Sequence, residues 1–204
     1  MSPIVGLIIS YLAGSIPSAY ISGRLRGIDL RKHGSGNLGA TNVVRVLGVK
    51  TGAVVFIADL LKGFLPVYFL PRYTETLRPG MWALFFGAAA IIGHVKPIFL
   101  LWKGGGKGVA TASGVFLALA PIPMLVAEVV WIVTFYFSRY VSLASLLAAA
   151  VLPIAILAWY RSPQSLVFIT SVIIAAFVFW THRANIGRLR RGQEHRFVKK
   201  EMAG

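Results

Sequence analysis

Residues 140–160 read YVSLASLLAAAVLPIAILAWY, a stretch without a single charged side chain. A helix that is apolar all round must be buried in protein or surrounded by lipid, and about 20 such residues cross the hydrocarbon core of a bilayer. The rest of the 204-residue chain is similar, with 57% hydrophobic residues, 13% charged residues and a mean hydropathy of +0.75. A chain of this length cannot bury so many apolar helices in itself. The sequence therefore predicts an all-α integral membrane protein.

Seven apolar segments are predicted to cross the membrane. Their approximate ranges are 3–23, 49–71, 81–101, 108–120, 123–138, 140–160 and 164–182. The long stretch 108–160 is divided at Pro121 and Pro123, because proline removes a backbone donor and crowds the preceding turn, and again at Ser138 and Arg139. We find no internal repeat, so residues 1–204 are predicted to form a single transmembrane domain that ends in a basic tail, 183–204.

Positive charge predicts the orientation of these spans. The chain has 21 Lys and Arg residues against 6 Asp and Glu residues. Seven spans with the N-terminus outside and the C-terminus in the cytoplasm leave only Arg72, Arg78 and Arg161 in the outer loops, as positively charged inner loops require. No Lys or Arg precedes the first span, which argues against a cleaved signal peptide. Beyond Leu189 the sequence leaves open whether the tail is only solvated on anionic lipid headgroups.

Composition also excludes several function classes. The bases lie in short loops between apolar spans instead of on a soluble face, which argues against nucleic acid as a partner. The chain has no cysteine, so disulfides, thiolate nucleophiles and thiolate metal sites are excluded.

The first polar segment on the predicted inner side is SGNLGATNVVR, Ser35 to Arg45. It combines small residues, amides, hydroxyls and a terminal arginine within eleven positions. Glycines let backbone N–H groups approach an anion closely, and helix N-termini add partial positive charge. The segment is therefore a candidate phosphate-binding loop, although a plain glycine and asparagine turn between two helices has the same composition.

The second polar segment is KGGGKGVAT, Lys103 to Thr111, directly before an apolar helix. A glycine run that leads a lysine into a helix N-terminus is chemically suited to bind phosphate. It is not a Walker A motif, because Gly108 follows Lys107 and no strand precedes it. A flexible loop between helices is the alternative.

The third polar segment is HRANIGRL, His182 to Leu189, at the inner end of the last span. Helical spacing places His182, Asn185 and Leu189 on one face, with Arg188 three residues beyond Asn185. An interfacial belt of Arg and His side chains that reach the headgroups is the alternative.

Together the three segments supply many cations and no Asp or Glu. Such a site suits doubly charged phosphates and lacks the acidic ligands that hold Mg²⁺ or catalytic Zn²⁺, so we expect no metal and no cofactor. Asp59 and Lys62 lie three residues apart within the second span, where an unpaired charge is costly. We expect them to form a structural ion pair, with a role in lining the site as the alternative.

The three segments resemble the three cytoplasmic motifs of the PlsY-type bacterial acyl-phosphate:glycerol-3-phosphate acyltransferases, in the same order and at comparable intervals. The DLLKG at Asp59 to Gly63 and the Gly93–His94 pair are also similar to features of this family. The HxxxxD motif of soluble and peripheral acyltransferases is missing, since no histidine is followed five residues later by Asp.

The resemblance implies a seven-helix enzyme of the bacterial inner membrane with its active-site loops in the cytoplasm. It would transfer a fatty acyl group from acyl phosphate to the 1-hydroxyl of glycerol 3-phosphate, giving lysophosphatidic acid and phosphate, the first step of phospholipid synthesis. The expected partners are these two substrates and membrane lipid, and the chain is expected to act as a monomer.

The resemblance also suggests residue roles. Glycerol 3-phosphate would be held by Arg45, Lys107, His182, Asn185 and Arg188. Acyl phosphate would be bound by Ser35 and by the amides of Gly36, Gly104, Gly105 and Gly106, with Lys103 close by. Asn37, Thr41 and Asn42 would shape the first loop around the substrate.

The general base is left open between His182, the best candidate by pKa, and a phosphate oxygen of a substrate. No base is evident beside Ser35, so direct one-step transfer is favoured over an acyl-serine intermediate.

Two other classes of function fit parts of the sequence. A transporter or channel for a phosphorylated anion would also use basic loops and the intramembrane Asp59 and Lys62, but the chain lacks the paired repeats that many transporters show. A non-catalytic lipid-binding scaffold would need basic belts only, without clustered Gly, Asn and Ser.

Overall fold

A computed structural model describes residues 1–197, which are helical with no β-strand in this range. In chain order the helices are α1 (Pro3–Ser15), α2 (Ser18–Arg24), α3 (Ala40–Leu47), α4 (Val49–Phe69), α5 (Pro79–Val95), α6 (Val109–Leu119), α7 (Pro121–Ser138), α8 (Val141–Tyr160), α9 (Leu166–Thr181) and α10 (Arg183–Arg190). The predicted all-helical class is confirmed. Lys199 and Lys200 of the predicted basic tail lie outside the described residues.

Five segments are long and apolar enough to cross a membrane. They are Pro3–Arg24, Val49–Tyr73, Pro79–Leu100, Pro121–Ser138 and Val141–Tyr160. A sixth is formed if α9 and α10, which are bent by 60° at their junction, are taken as one span. The predicted span 108–120 corresponds to α6. Its 11 residues extend roughly 16 Å, about half the hydrocarbon thickness. The structure therefore supports five or six spans, while seven spans and the orientation of the termini stay predictions.

The first span is broken near its end. α1 stops at Ser15 and α2 starts at Ser18, and Pro17 between them has no N–H to continue the helical ladder. The predicted span over 3–23 agrees with the apolar segment Pro3–Arg24, but the sequence analysis did not predict this break. The break exposes the carbonyl of Ile16, which accepts a hydrogen bond of 2.9 Å from Lys62 Nζ.

The described helices form two compact units, residues 1–119 and 120–197; the single transmembrane domain stays a prediction. In the first unit, α4 packs on α6 and α1 packs on α5. The α4–α6 crossing is close because Gly63 faces the carbonyl of Thr111 and Gly114 faces the carbonyl of Leu60. Small residues allow such close backbone contact between membrane helices. This crossing fixes the start of α6, and with it the glycine segment that precedes α6.

In the second unit, α8 packs between α7 and α9, and α10 contacts α8 and α9. The chain after α10 then returns to the α7–α8 turn. The Phe197 N–H donates to the carbonyl of Arg139 at 3.0 Å, its ring contacts Phe135, and its side chain is buried. The tail is therefore packed as far as Phe197 and is more than a solvated segment.

Candidate active site

Asn42 organises the first polar segment. Its side chain is buried at the start of α3, and its Oδ1 accepts a hydrogen bond of 2.8 Å from the Ser35 N–H. Its Nδ2 donates to the carbonyls of Leu30 and His33. The whole amide is thus used to fold residues 30–42 into a fixed loop. Asn42 shapes the loop, as the sequence suggested, and its amide is already occupied by this backbone.

The rest of the first segment is divided between loop and helix. The sequence predicted a loop through Arg45, but α3 begins at Ala40, so Thr41 and Arg45 lie on a helix. Ser35 is exposed, and among the described residues its Oγ contacts only the N–H of Asn37, at 3.5 Å. No His, Asp or Glu within residues 1–197 is bonded to this hydroxyl. The one acid near the segment, Asp29, is paired with Arg31 at 2.8 Å, which holds the pKa of its carboxyl far below the usual range.

The second polar segment forms a loop between a 3-10 turn, Ile98–Leu100, and α6; the loop is exposed at Lys103 and Gly104 and buried at Gly106 and Gly108. Gly104 has φ +84°, a left-handed conformation that favours glycine. The preceding Leu101 and Trp102 also have positive φ. The Trp102 Nε1–H donates to the hydroxyl of Tyr11, which in turn donates to the carbonyl of Lys96. These two bonds hold the entry of the loop in place.

Two of the four glycine amides predicted to bind acyl phosphate are already used. The Gly36 N–H donates to the carbonyl of His33 at 3.1 Å, and the Gly106 N–H donates to the carbonyl of His94 at 3.3 Å. Because an amide has a single proton, both amides are poor donors for a substrate, and the prediction is corrected for them. Within residues 1–197, the N–H groups of Gly104 and Gly105 have no protein acceptor.

The first and second segments lie against each other. The Asn37 Nδ2 donates to the carbonyl of Gly105 at 3.4 Å. Beside the contact lies a small cleft lined by Leu38, by Gly104 to Gly106 and by the polar residues Ser15, Asp59, Lys62 and His94. Lys103 is exposed at the rim of the loop and Lys107 is half-buried.

The predicted ion pair between Asp59 and Lys62 is confirmed. Lys62 Nζ lies 2.7 Å from Asp59 Oδ1, and both side chains are buried. His94 Nδ1 lies 3.8 Å from the same carboxylate oxygen. The pair also lines the cleft next to Gly104 to Gly106, the glycine loop. A role of the pair in lining the substrate site stays a prediction.

His182 lies at the junction of α9 and α10 and is buried. Its Nδ1 is 2.8 Å from the carbonyl of Val178. A carbonyl only accepts, so Nδ1 carries a proton in this contact. The bond fixes the orientation of the imidazole ring at the junction of the two helices.

Asn185 and Arg188 on α10 share a partner that the sequence analysis missed. Glu194 accepts hydrogen bonds from Asn185 Nδ2 at 2.6 Å, from Arg188 Nε at 2.7 Å and from the Ser142 hydroxyl at 2.9 Å. The expectation that the third segment has no carboxylate nearby is therefore wrong. Glu194 lies five residues after Leu189, in the predicted basic tail. The only feature that could have pointed to it in the sequence is that it is the first acid of this tail.

The ionisation of Glu194 follows from these contacts. Burial raises the pKa of the carboxyl, but the hydrogen bonds from Asn185, Arg188 and Ser142 outweigh burial and hold the pKa below its usual value. Glu194 is thus an anion at neutral pH. It orients the Asn185 amide and holds Arg188 through Nε.

Comparison with known proteins places this geometry in a family. Residues 4–192 match the family model described as glycerol-3-phosphate acyltransferase. The chain is 48% identical to the glycerol-3-phosphate acyltransferase of Trichlorobacter lovleyi over 92% of this chain and 94% of that protein. It is 43% identical to the glycerol-3-phosphate acyltransferase of Aquifex aeolicus, over 94% of this chain and 97% of that protein.

Solved structures agree with the sequence comparison. The fold is similar to a crystal structure of PlsY (YgiH), an integral membrane glycerol 3-phosphate acyltransferase, in its glycerol 3-phosphate form. The TM-score is 0.89 and the identity 40%, over 98% of both chains. The lysophosphatidic acid form of PlsY is similar with a TM-score of 0.85 and 39% identity.

Proposed function

Because this chain belongs to the glycerol-3-phosphate acyltransferase family, we propose that it transfers a fatty acyl group from acyl phosphate to the 1-hydroxyl of glycerol 3-phosphate. The chain is an integral membrane enzyme of the PlsY type. We propose further that its active-site loops face the cytoplasm of a bacterial inner membrane and that transfer occurs in one step without metal. The solved relatives in glycerol 3-phosphate and lysophosphatidic acid forms support an acceptor and a product of this kind.

The observation that carries the proposal is the cationic, glycine-rich loop pair held together by the bond from Asn37 to Gly105. The N–H groups of Gly104 and Gly105 and the Lys103 and Lys107 side chains lie in this one segment, and they suit a ligand with a phosphate and a developing oxyanion. An acyl phosphate is already activated, so the protein has mainly to position it and to stabilise charge. This chemistry favours acyl phosphate as the donor.

The transfer can be written with balanced bonds. The 1-hydroxyl oxygen of glycerol 3-phosphate attacks the acyl carbonyl carbon, a new ester bond forms, and the carbon–oxygen bond to phosphate breaks. Inorganic phosphate leaves with the electron pair of that bond. The hydroxyl proton passes either to Nε2 of His182 or to a phosphate oxygen of a substrate.

The predicted site residues have the following roles in this scheme. Arg45 and Lys107 neutralise phosphate charge, and the amides of Gly104 and Gly105 stabilise the oxyanion and the leaving phosphate. His182, Asn185 and the terminal nitrogens of Arg188 hold glycerol 3-phosphate. Ser35 acts through its hydroxyl as a donor to acyl phosphate; the missing base at its Oγ, among the described residues, favours direct transfer over an acyl-serine.

The first experiment is acyl transfer by the purified protein in detergent, with palmitoyl phosphate, glycerol 3-phosphate and EDTA, followed by release of phosphate and lysophosphatidic acid. We expect turnover that survives EDTA and falls at least about a hundredfold in Lys107→Ala and in Arg45→Ala, since one lost stabilising donor costs about that much. Arg78→Ala, an exposed base before α5, is the matched control and should retain full activity.

The same preparation tests the other functions. A folded protein that does not turn over palmitoyl phosphate contradicts the proposed donor. Uptake of labelled glycerol 3-phosphate into sealed vesicles without acyl donor would favour a transporter, and binding without turnover or uptake would favour a lipid-binding scaffold.

A further inference from the structure

The ion pair of Asp59 and Lys62 and the neighbouring His94 form a buried polar cluster that the transfer chemistry does not use. The residues Asp59, Lys62 and His94 are 2%, 7% and 7% exposed, respectively. Ionisable groups within membrane spans are costly and mark functional positions by default. Replacement of a buried ion pair by apolar residues of similar size is often neutral for stability. Stability by itself therefore gives no reason for charges at this place.

The cluster contacts the backbone in two places that matter. On one side, Lys62 Nζ donates to the Ile16 carbonyl at the break between α1 and α2. On the other side, the His94 carbonyl accepts from the Gly106 N–H at 3.3 Å. The His94 imidazole also packs so closely on Gly106 that a Cβ there would collide with Nε2. The glycine loop thus rests on His94, and His94 lies 3.8 Å from the carboxylate that Lys62 holds.

Ser15 adds an independent sign that this region is arranged as part of the site. Its hydroxyl is fully buried at the end of α1, it lines the same cleft, and it has no hydrogen-bond partner within the described residues. Polar groups of α1, α4 and α5 therefore converge directly below Gly104 to Gly106.

We propose that Asp59, Lys62 and His94 are positioning residues that set the height and direction of the glycine loop. They fix Gly106 from below, and this fixes the direction in which the N–H groups of Gly104 and Gly105 point. The inference rests on the proposed binding of acyl phosphate by this loop. A shift of about 1 Å in such a group costs about a hundredfold in rate, so the cluster acts on donor binding and transfer without touching a substrate.

The test separates the position of the loop from the stability of the fold. Asp59→Asn leaves the Lys62 cation buried without its anion, and we expect both Tm and activity to fall. The double variant Asp59→Asn/Lys62→Met removes both charges at similar size. We expect its Tm to return to within a few degrees of the wild-type value, while KM for palmitoyl phosphate stays at least about tenfold raised and KM for glycerol 3-phosphate changes less.

His94→Gln keeps the ion pair and approximates the size of the ring, and it is the second variant. It should raise KM for palmitoyl phosphate by a similar factor, because Gly106 loses the flat surface on which it rests. Phe86→Leu is the matched control: Phe86 is buried on the same helix and packs on Gly6. Its cavity should lower Tm without changing either KM.

A double variant with restored Tm and wild-type KM for both substrates overturns the proposal, as does a His94→Gln enzyme with wild-type kinetics. Failure of the proposed function looks different: the wild-type protein would not turn over palmitoyl phosphate, and the inference would fall with it. Equal increases in both KM values would indicate a general structural role and would also overturn the proposal.

Discussion

The two units of this protein hold their polar segments by opposite means. In the first unit, Asn42 is a neutral hub whose partners are all backbone groups, the N–H of Ser35 and the carbonyls of Leu30 and His33. In the second unit, Glu194 is a charged hub whose partners are all side chains, from Ser142, Asn185 and Arg188. The contacts of Asn42 are lost only when Asn42 itself is replaced, because its partners are backbone groups. The contacts of Glu194 can also be removed by replacing one of its side-chain partners or by protonating the carboxylate.

Among the variants that test these two side chains, Glu194→Ala is expected to lower stability most. It removes the shared acceptor of three donors, one of them a guanidinium, and a broken buried pair costs about 3–5 kcal/mol. Because Arg188 is 39% exposed and can be rehydrated, we expect a loss near the lower end, with activity lost as well. Unfolding monitored in detergent, together with the acyl-transfer assay, measures both. Gln193→Ala, an adjacent change in the same tail, is the control, and an unchanged Tm in Glu194→Ala would contradict the role of the hub.

Asn42→Ala should follow with a loss of about 3 kcal/mol, since it leaves the part-buried Ser35 N–H and the carbonyls of Leu30 and His33 without partners at roughly 1 kcal/mol each. The effect should appear in both Tm and activity, because the loop that carries Ser35 loses its support. Thr41→Ala, next to Asn42 on α3 and without such bonds, is the matched control for Tm alone. A wild-type Tm would show that the loop is held by something other than this amide.

Isosteric changes sharpen the difference between the hubs. Asn42→Asp replaces a donor by an acceptor that faces two carbonyls, so we expect it to be at least as harmful as Asn42→Ala. Glu194→Gln keeps one acceptor oxygen for the Asn185 and Ser142 donors, and it should cost about 2 kcal/mol, less than Glu194→Ala. Tm values of the four variants measured in one detergent decide this order. A higher Tm for Asn42→Asp than for Asn42→Ala, or a lower Tm for Glu194→Gln than for Glu194→Ala, would contradict the roles given to these two side chains.

Ser142→Ala should give a smaller effect, about 1 kcal/mol, because it removes one of three bonds to Glu194 and leaves a small apolar contact. Thermal unfolding is the measurement, and Ser138→Ala at the end of α7 is a control that leaves Glu194 unchanged. A loss as large as that of Glu194→Ala would show that Ser142 has a role beyond this hydrogen bond.

Acid pH is expected to have the smallest effect: it should reduce the contribution of Glu194 to stability and leave that of Asn42 unchanged. The pKa of Glu194 is lowered in the folded protein, so its contribution to stability is complete above the unfolded value of about 4.3 and is lost as the pH falls through the folded pKa. Wild-type protein should lose stability relative to Glu194→Gln below about pH 4.3, whereas the difference between wild-type and Asn42→Ala should stay constant. Parallel pH curves for wild-type and Glu194→Gln would contradict this assignment.

Much of this enzyme was open to prediction from its sequence. Apolar segments near 20 residues long predict membrane helices because lipid leaves the backbone no other way to satisfy its hydrogen bonds. The helical class, the Asp59–Lys62 pair and the resemblance to the PlsY-type family are confirmed. The three polar segments stood out because they concentrate Gly, Asn, Lys and Arg between long apolar stretches.

Other features depend on contacts between residues far apart in the chain, which periodicity cannot reveal. Glu194 looked like part of a basic tail until the fold brought it to Ser142, 52 residues earlier. The amides of Gly36 and Gly106 looked available until their acceptors, His33 and His94, were in place. Local composition determined which segments are polar and cationic and which are apolar enough to enter lipid, because both depend on the residue types themselves. Tertiary structure decided which donors are already satisfied, because a hydrogen bond is a property of two groups and the sequence names only one at a time.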